Sequence, residues 1–592
     1  MRKAIRLSLA VGASILMAVG LAGTARAQSS TSDAPVTLRV GVIADLDTDN
    51  VFAVSAGSDW TVATSEYDML LKFSSTDLTA APGLATGCEH NDDYTQWTCA
   101  IRPGLRWSDG QPLTSEDIAF TFQFVMDNKI PQYKSDIPSD STFSAPNPTT
   151  FVWTTKEPSF APSLPQWVYI VPKHIWEPYD GKDLKEIRAV SQTPAVASGP
   201  FILTSWTPGQ GWVMDRNQYY WGTTPALNRI EYQVYTNQEA MITALKNGEI
   251  DAADGLEPAM INSVSNTPNV ALQKVVSDWW LNLAFNFGTP GSDYTTLPAL
   301  HDLKVRQAIE MAIDKNAIVN KVYQGAATPG DTIVRPASAF WHLDIPADQE
   351  FPYDPDAANQ MLQDAGYVDT NNDGIREDPN THQPLTMSIP ASTDTTGAEQ
   401  AGELIVGFLK KIGIQVDLKP STDAKMNDYW GAGNYDAYIW YWSGNPDPNY
   451  QLWVFTSGEC GIWSDGCWQD KHFDKLYEQQ NTEMDQNARQ AIVKEAQQYE
   501  YEQVPGVVLA YPNWLEAYRT DRFTGWVGAP GPQGYLLPTY NYDSLVSLRP
   551  IEGASAGDSA SVPGWVLAAA AVAVIAIIVV VVRGRKTGAD EA

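Results

Sequence analysis

The chain has 592 residues, 44% of them hydrophobic and 18% charged, with a formal net charge of −31. That length exceeds one ordinary core and implies two or three domains. The first 27 residues carry +4 and the ten after Val582 carry +1, so the part between stands at −36, which excludes nucleic acid or an anionic lipid surface as a partner, since both need basic patches.

The N-terminus reads Arg2, Lys3 and Arg6, then an apolar run from Leu7 to Leu21, then Ala25-Arg26-Ala27. This predicts a secretory signal over residues 1–27, with the exported chain starting at Gln28. Val36 to Val42 alternates and predicts an opening strand. Four cysteines in an exported chain permit disulfides. Cys88 and Cys99 flank Asp92-Asp93-Tyr94-Thr95, and a turn at Asp93-Tyr94 would set them opposite each other on a hairpin. Cys460 and Cys467 bracket the loop Gly461 to Gly466. Two local bridges are expected; neither pair has C-x-x-C spacing and no His cluster lies near, so no metal is expected. Ser108-Asp109-Gly110 reads as a tight turn. Thr114 or Ser115 would cap the helix that follows, with Glu116 and Asp117 in its first turn.

The block Pro82-Gly83-Leu84-Ala85, Arg102-Pro103-Gly104, Trp107-Ser108-Asp109-Gly110 and Pro112-Leu113-Thr114-Ser115-Glu116-Asp117 resembles the extracytoplasmic solute-binding proteins of family 5. These are the oligopeptide, dipeptide and nickel receptors of ABC importers. The resemblance continues through Val171 to Trp176, Gly199-Pro200-Phe201, Tyr220-Trp221-Gly222, Gly248-Glu249-Ile250-Asp251, Val305-Arg306-Gln307-Ala308-Ile309 and Tyr353-Asp354-Pro355, and runs from about Val36 to about Leu548. It implies a two-lobed α/β fold that closes over a solute by a hinge, with an ABC permease as partner, no cofactor and no catalysis.

Asp278 to Gly288 reads as a strand with two unlike faces. Its odd positions, Trp279, Leu281, Leu283, Phe285 and Phe287, are all apolar; its even positions are Trp280, Asn282, Ala284, Asn286 and Gly288. An aromatic beside amides on one face suits a strand that lines a cleft. Leu385 to Ile389, Glu399 to Ile412, Ile414 to Leu418 and Tyr435 to Trp442 then read strand, helix, strand, strand, an α/β lobe. Ala488 to Tyr501 is an expected helix, and Val504 to Tyr511 an apolar strand returning to the first lobe. Asp369 to Gly374 mimics the first half of a calcium loop, but position twelve is Asn380 rather than Glu, so a turn is expected there.

The expected organisation is a signal at 1–27, lobe I at 28–283 with a subdomain inserted at about 66–194, lobe II at 284–504 and a return to lobe I at 505–548. A flexible stalk at 549–564 would follow. Trp565 to Val582 contains no charge and Arg583, Arg585 and Lys586 come next. This predicts a transmembrane helix at 565–582, spanning about 27 Å, and a cytoplasmic tail at 583–592. The body would then sit outside the cell, tethered by its C-terminus.

The stretch Asp436 to Pro448 carries Tyr438, Trp440 and Trp442 on one face, then Asn445 and Asp447. In peptide-binding members of the family, an Asp three residues beyond the Trp that matches Trp442 holds the ligand's α-amino group. This chain has Asn445 there and Asp447 two residues later. The expected ligand contacts are Trp280, Asn282, Trp440, Trp442, Asn445 and Asp447, around an extended solute such as an oligopeptide. No H-E-x-x-H, G-x-S-x-G or P-loop pattern is present. A membrane-tethered sensor of the same fold and a secreted hydrolase with a carboxylate pair are the alternative readings.

Overall fold

The computed structural model describes residues 35–551, apart from positions 56, 135–136 and 166. The expected signal and transmembrane helix lie outside the described residues, among which no helix is long and apolar enough to cross a membrane.

Twelve strands form one sheet. The first six are β1 (Thr37–Val42), β2 (Phe201–Thr207), β3 (Gly211–Arg216), β4 (Arg229–Val234), β5 (Ala252–Ala253) and β6 (Val270–Val276). The others are β7 (Trp279–Phe285), β8 (Ala327–Pro329), β9 (Thr386–Ser392), β10 (Gln415–Ser421), β11 (Ala437–Ser443) and β12 (Gly506–Arg519). The order is β10-β9-β11-β7-β12-β5-β1-β4-β3-β2, with β6 and β8 also pairing β12. Parallel pairs such as β1 with β4 and β9 with β10 need crossovers, which is why helices alternate with strands in both lobes.

The fourteen residues of β12 serve both lobes. Gly506 to Ala510 pair with β7 in lobe II, and Asn513 to Arg519 pair with β6 in lobe I. The sheet therefore changes partners at Ser277-Asp278 on one chain segment and at Tyr511-Pro512 on the other, where the Ser277 hydroxyl donates to the Pro512 carbonyl. Both points lie a few residues from the expected boundaries at 283/284 and 504/505. Strand β7 pairs with β11 along its whole length, Trp279 to Phe285.

Residues 85–154 add a four-stranded antiparallel sheet packed on helix α1 (Ser115–Asp127). Thr114 and Asp117 form a reciprocal capping box at its start, which satisfies two otherwise orphaned N–H groups. Phe122 lies 4.9 Å from Trp153 and 5.6 Å from Phe151, ring centre to ring centre. Burial of rings of this size contributes about 1.5–3 kcal/mol each. The core continues into Tyr535 and Tyr540 of the return segment. Cys88 and Cys99 face each other across the hairpin and are bonded, as are Cys460 and Cys467. In lobe II the expected strand–helix–strand–strand run is present as β9, a helix at Ala398–Lys410, β10 and β11, with a further helix, Asp423–Ala432, before β11. Three more helices follow: α2 (Asn449–Trp453), α3 (Lys471–Thr482) and α4 (Gln486–Gln503).

Candidate functional site

Strand β7 lies between β11 and β12 and does have two unlike faces. Leu281, Leu283 and Phe285 enter the lobe II core with Val305 and Ile309. Trp280, Asn282 and Ala284 face the other way, toward the segment 452–476. Trp280 pairs in register with Trp442, and Asn282 with Trp440. The Trp280 ring is fully buried among Ile333, Val334, Val508 and Tyr511, and its indole N–H has no acceptor. Trp440 is half-buried, edge-on to Tyr438 at 6.3 Å, and its N–H is also without a partner.

Two of the expected residues converge on a carboxylate that the sequence reading passed over, Asp465. The Trp442 indole and the Asn282 amide donate to one of its oxygens, the latter at 3.4 Å, and the Tyr438 hydroxyl donates to the other. Burial pushes the Asp465 carboxyl up to about 6, and the three hydrogen bonds only partly oppose this. The loop closed by Cys460–Cys467 carries Asp465 to this position. It packs so tightly on β7 that a Cβ on Gly466 would stand 1.7 Å from the Phe285 carbonyl oxygen, so only glycine fits. The Phe287 N–H donates to the Gly466 carbonyl at 2.6 Å. A Gly-rich loop between cysteines was the sole sequence signal for this site.

Asp447 is held by Arg489 of α4 in a two-pronged ion pair of 2.5 and 2.7 Å. It also accepts from the Asn449 N–H at the start of α2. Its charge is therefore neutralised within lobe II, and the expected role as a free anchor for a ligand's ammonium group does not follow from its place. Arg489 stacks 4.1 Å from Phe160 of lobe I and 4.7 Å from Trp341. Asn445 uses its backbone carbonyl, which accepts from Arg335 at 3.0 Å and from Gln451 at 2.8 Å.

Arg335 is fully buried where the two lobes meet. Its second prong reaches the Tyr540 hydroxyl of the return segment at 3.2 Å. Tyr540 and Tyr535 in turn donate to the two oxygens of Asp278, at 3.1 and 3.2 Å, beside the point where the first chain segment crosses. Burial and the Asp278 charge hold both phenols well above their ordinary range. Tyr540 continues into a lobe I aromatic wall with Phe73 and Trp167, at ring separations of 5.8 and 5.7 Å. A single Arg before a Pro carries no pattern, and the aromatics are scattered from residue 73 to residue 540, so sequence spacing could not gather them.

The Asp369–Gly374 segment is a turn. Asp369 accepts from the N–H groups of Asp373 and Gly374, and Glu377 accepts from Thr370 and Asn371. Asp369, Asp373 and Glu377 bring carboxylate oxygens within 4.8 Å of one another, but local donors already occupy them.

The sequence model of the bacterial extracellular solute-binding proteins, family 5 (middle region), matches residues 79–461. The probable D,D-dipeptide-binding periplasmic protein DdpA of Escherichia coli is 26% identical over 494 residues, covering 81% of this chain and 89% of DdpA. The oligopeptide-binding protein AppA of Bacillus subtilis is 25% identical over 451 residues, covering 73% of this chain and 78% of AppA. Among solved structures, the ABC transporter substrate binding protein CtaP of Listeria monocytogenes has the same fold, with a TM-score of 0.72 at 21% identity over 87% of this chain and 99% of CtaP.

Proposed function

The chain belongs to the bacterial extracellular solute-binding proteins of family 5, and from that premise we propose that it captures an extended solute, an oligopeptide in the first instance, between its lobes and hands it to an ABC permease. It is a receptor of the peptide and nickel class of this family. The observation that carries the finer reading is the construction of the junction: the sheet crosses between the lobes at β6–β7 and within β12, while Tyr540 and Phe160 of lobe I meet Arg335 and Arg489 of lobe II. Few covalent crossings allow rigid-body closure, and aromatic walls with a few placed polar groups suit an extended ligand. Capture needs no bond to be made or broken, so we assign no catalytic step. The names of the relatives, a dipeptide binder and an oligopeptide binder, favour a peptide. We further propose that the transmembrane helix expected at 565–582 tethers this extracellular body to the membrane.

The test is titration of the full chain, stripped of bound solute, with pools of tri- to nonapeptides. Calorimetry should register binding, X-ray scattering should register a smaller radius in the loaded form, and the peptides should be recovered intact. Cleaved peptides, or binding without closure, would overturn the reading. For the tether, protease added to whole cells should release the body and leave a short C-terminal stub; a tail accessible from outside would refute it.

A further inference from the structure

The junction holds a buried cation without a matching anion. Arg335 is fully buried and makes no salt bridge among the described residues. One N–H goes to a neutral carbonyl, that of Asn445, another to a neutral phenol, that of Tyr540, and its Nε–H meets no acceptor. The carboxylate of Asp278 is one phenol removed. Beside it, the Gln451 side-chain oxygen is also buried and unpartnered, while its amide N–H shares the Asn445 carbonyl with Arg335. The chain runs so close here that a Cβ on Gly444 would stand 2.5 Å from the guanidinium and 2.0 Å from the Gln451 amide.

Burying a charged group with unused hydrogen-bonding capacity is costly. The carboxylate that could have matched it, Asp447, is fully engaged by Arg489, and position 445 is a neutral Asn. Arg335 thus has no carboxylate in direct contact among the described residues. Arg335 is bonded to lobe II through Asn445 and to lobe I through Tyr540, so the hinge opening proposed above would part the Tyr540 contact and bring the guanidinium to an entering solute.

We propose that Arg335 holds a carboxylate of the captured solute. A guanidinium presents paired donors that match the two oxygens of a carboxylate, and the uncommitted Nε–H supplies one of them. The inference rests on the reading of this chain as a solute receptor. The carboxylate can be the C-terminus of a peptide or belong to a non-peptide acid, and the test separates the two.

The full chain and Arg335→Gln are titrated with random tripeptides as free acids, with the same tripeptides as C-terminal amides, and with succinate and citrate. Calorimetry and native mass spectrometry provide the readout. The free acids should bind the parent chain about 30-fold or more tighter than the amides. Arg335→Gln should lose that preference while still binding the amides, and Arg335→Lys, which keeps the charge, should retain part of it. The Lys variant separates loss of charge from loss of fold. Amides binding as tightly as acids, or a preference that survives in Arg335→Gln, would overturn the assignment. If succinate or citrate binds in an Arg335-dependent way and no peptide binds, the carboxylate site stands and the peptide reading falls. Absence of binding by every probe overturns the carboxylate site.

Discussion

Two arginines at the junction share burial and surroundings and differ in everything that decides their role. Arg489 is committed: both prongs grip Asp447, its Nε–H donates to Gln480 at 2.9 Å, and its planar group lies near Phe160 and Trp341. Arg335 is equally buried, meets only neutral acceptors and leaves Nε–H unused. The difference teaches that a charge near the cleft is informative only with its partner in view. Asp447 stands close to where the family resemblance implies an ammonium anchor, yet its charge is spent on Arg489.

The sharpest way to break this comparison is to remove one group from each region. Asp447→Asn strands the buried Arg489 charge and should cost about 3–5 kcal/mol of stability. Arg335→Met should cost less than about 1.5 kcal/mol. It leaves no new orphan, because the Asn445 carbonyl keeps Gln451 and the Tyr540 hydroxyl keeps Asp278. Urea unfolding of both variants measures the contrast. Equal losses would mean that Arg335 is as structural as Arg489.

The same contrast runs through the two tryptophans that pair across β7 and β11. Trp280 is fully buried, so Trp280→Ala should cost about 3–5 kcal/mol by transfer and cavity formation. Trp442 is half-buried, so Trp442→Ala should cost less stability and, if the ring meets solute, more affinity. A larger stability loss at Trp442 than at Trp280 would reverse their roles.

Much of this was legible in the chain, for identifiable reasons. Alternation in Trp279 to Phe287 announced a strand with two faces, because one face feeds a large apolar core. The cysteine pairs were legible because each closes a short loop. Thr114 or Ser115 ahead of Glu116 and Asp117 announced a helix start through local bonding alone, and the structure settles the cap on Thr114. The site was much less legible. Asn282, Trp442 and Asp465 meet through a tertiary contact between strands and a distant loop, and Arg335 meets Tyr540 across some two hundred residues. Neither meeting has a period, and the pairing of Asp447 with Arg489 is set by the packing of α4. The point where β12 changes partners was hidden because one unbroken strand, Gly506 to Arg519, runs through it.

Asp465 is the anionic counterpart of Arg335, a buried carboxylate whose side-chain contacts are all neutral donors. With its carboxyl raised to about 6 in the fold, against about 3.9 when unfolded, the folded state binds the proton more tightly. Its contribution is fully present below about pH 4 and is lost as pH rises through about 6. The loss amounts to about 3 kcal/mol. Asp465→Asn should therefore be more stable than the parent at pH 7, and the difference should close by pH 4. Unfolding free energies measured across that window test this. A difference between parent and variant that does not change with pH would show Asp465 to be charge-matched after all. Glu66 and Glu500, each pushed up by burial to about 8, shape the parent's profile at higher pH, and the comparison with Asp465→Asn cancels them.

The smallest expected effect asks what keeps Asp465 there. The Cys460–Cys467 bridge closes a loop with a sequence separation of 7, for which chain entropy gives about 2.5 kcal/mol. The Cys88–Cys99 bridge, with a separation of 11, is worth a similar amount on the same argument but lies in the inserted subdomain. Replacing either pair by serines should therefore lower stability by nearly the same amount. Only the Cys460→Ser, Cys467→Ser variant should also flatten the stability step between about pH 4 and 6, because only that loop presses a carboxylate against Tyr438, Trp442 and Asn282. If the step survives without the bridge, Gly466 against the Phe285 carbonyl and the Tyr435 hydroxyl on the Asp465 carbonyl are enough to seat the loop. If removing the Cys88–Cys99 bridge flattens it too, the two regions are coupled, and the assignment of the step to Asp465 alone fails.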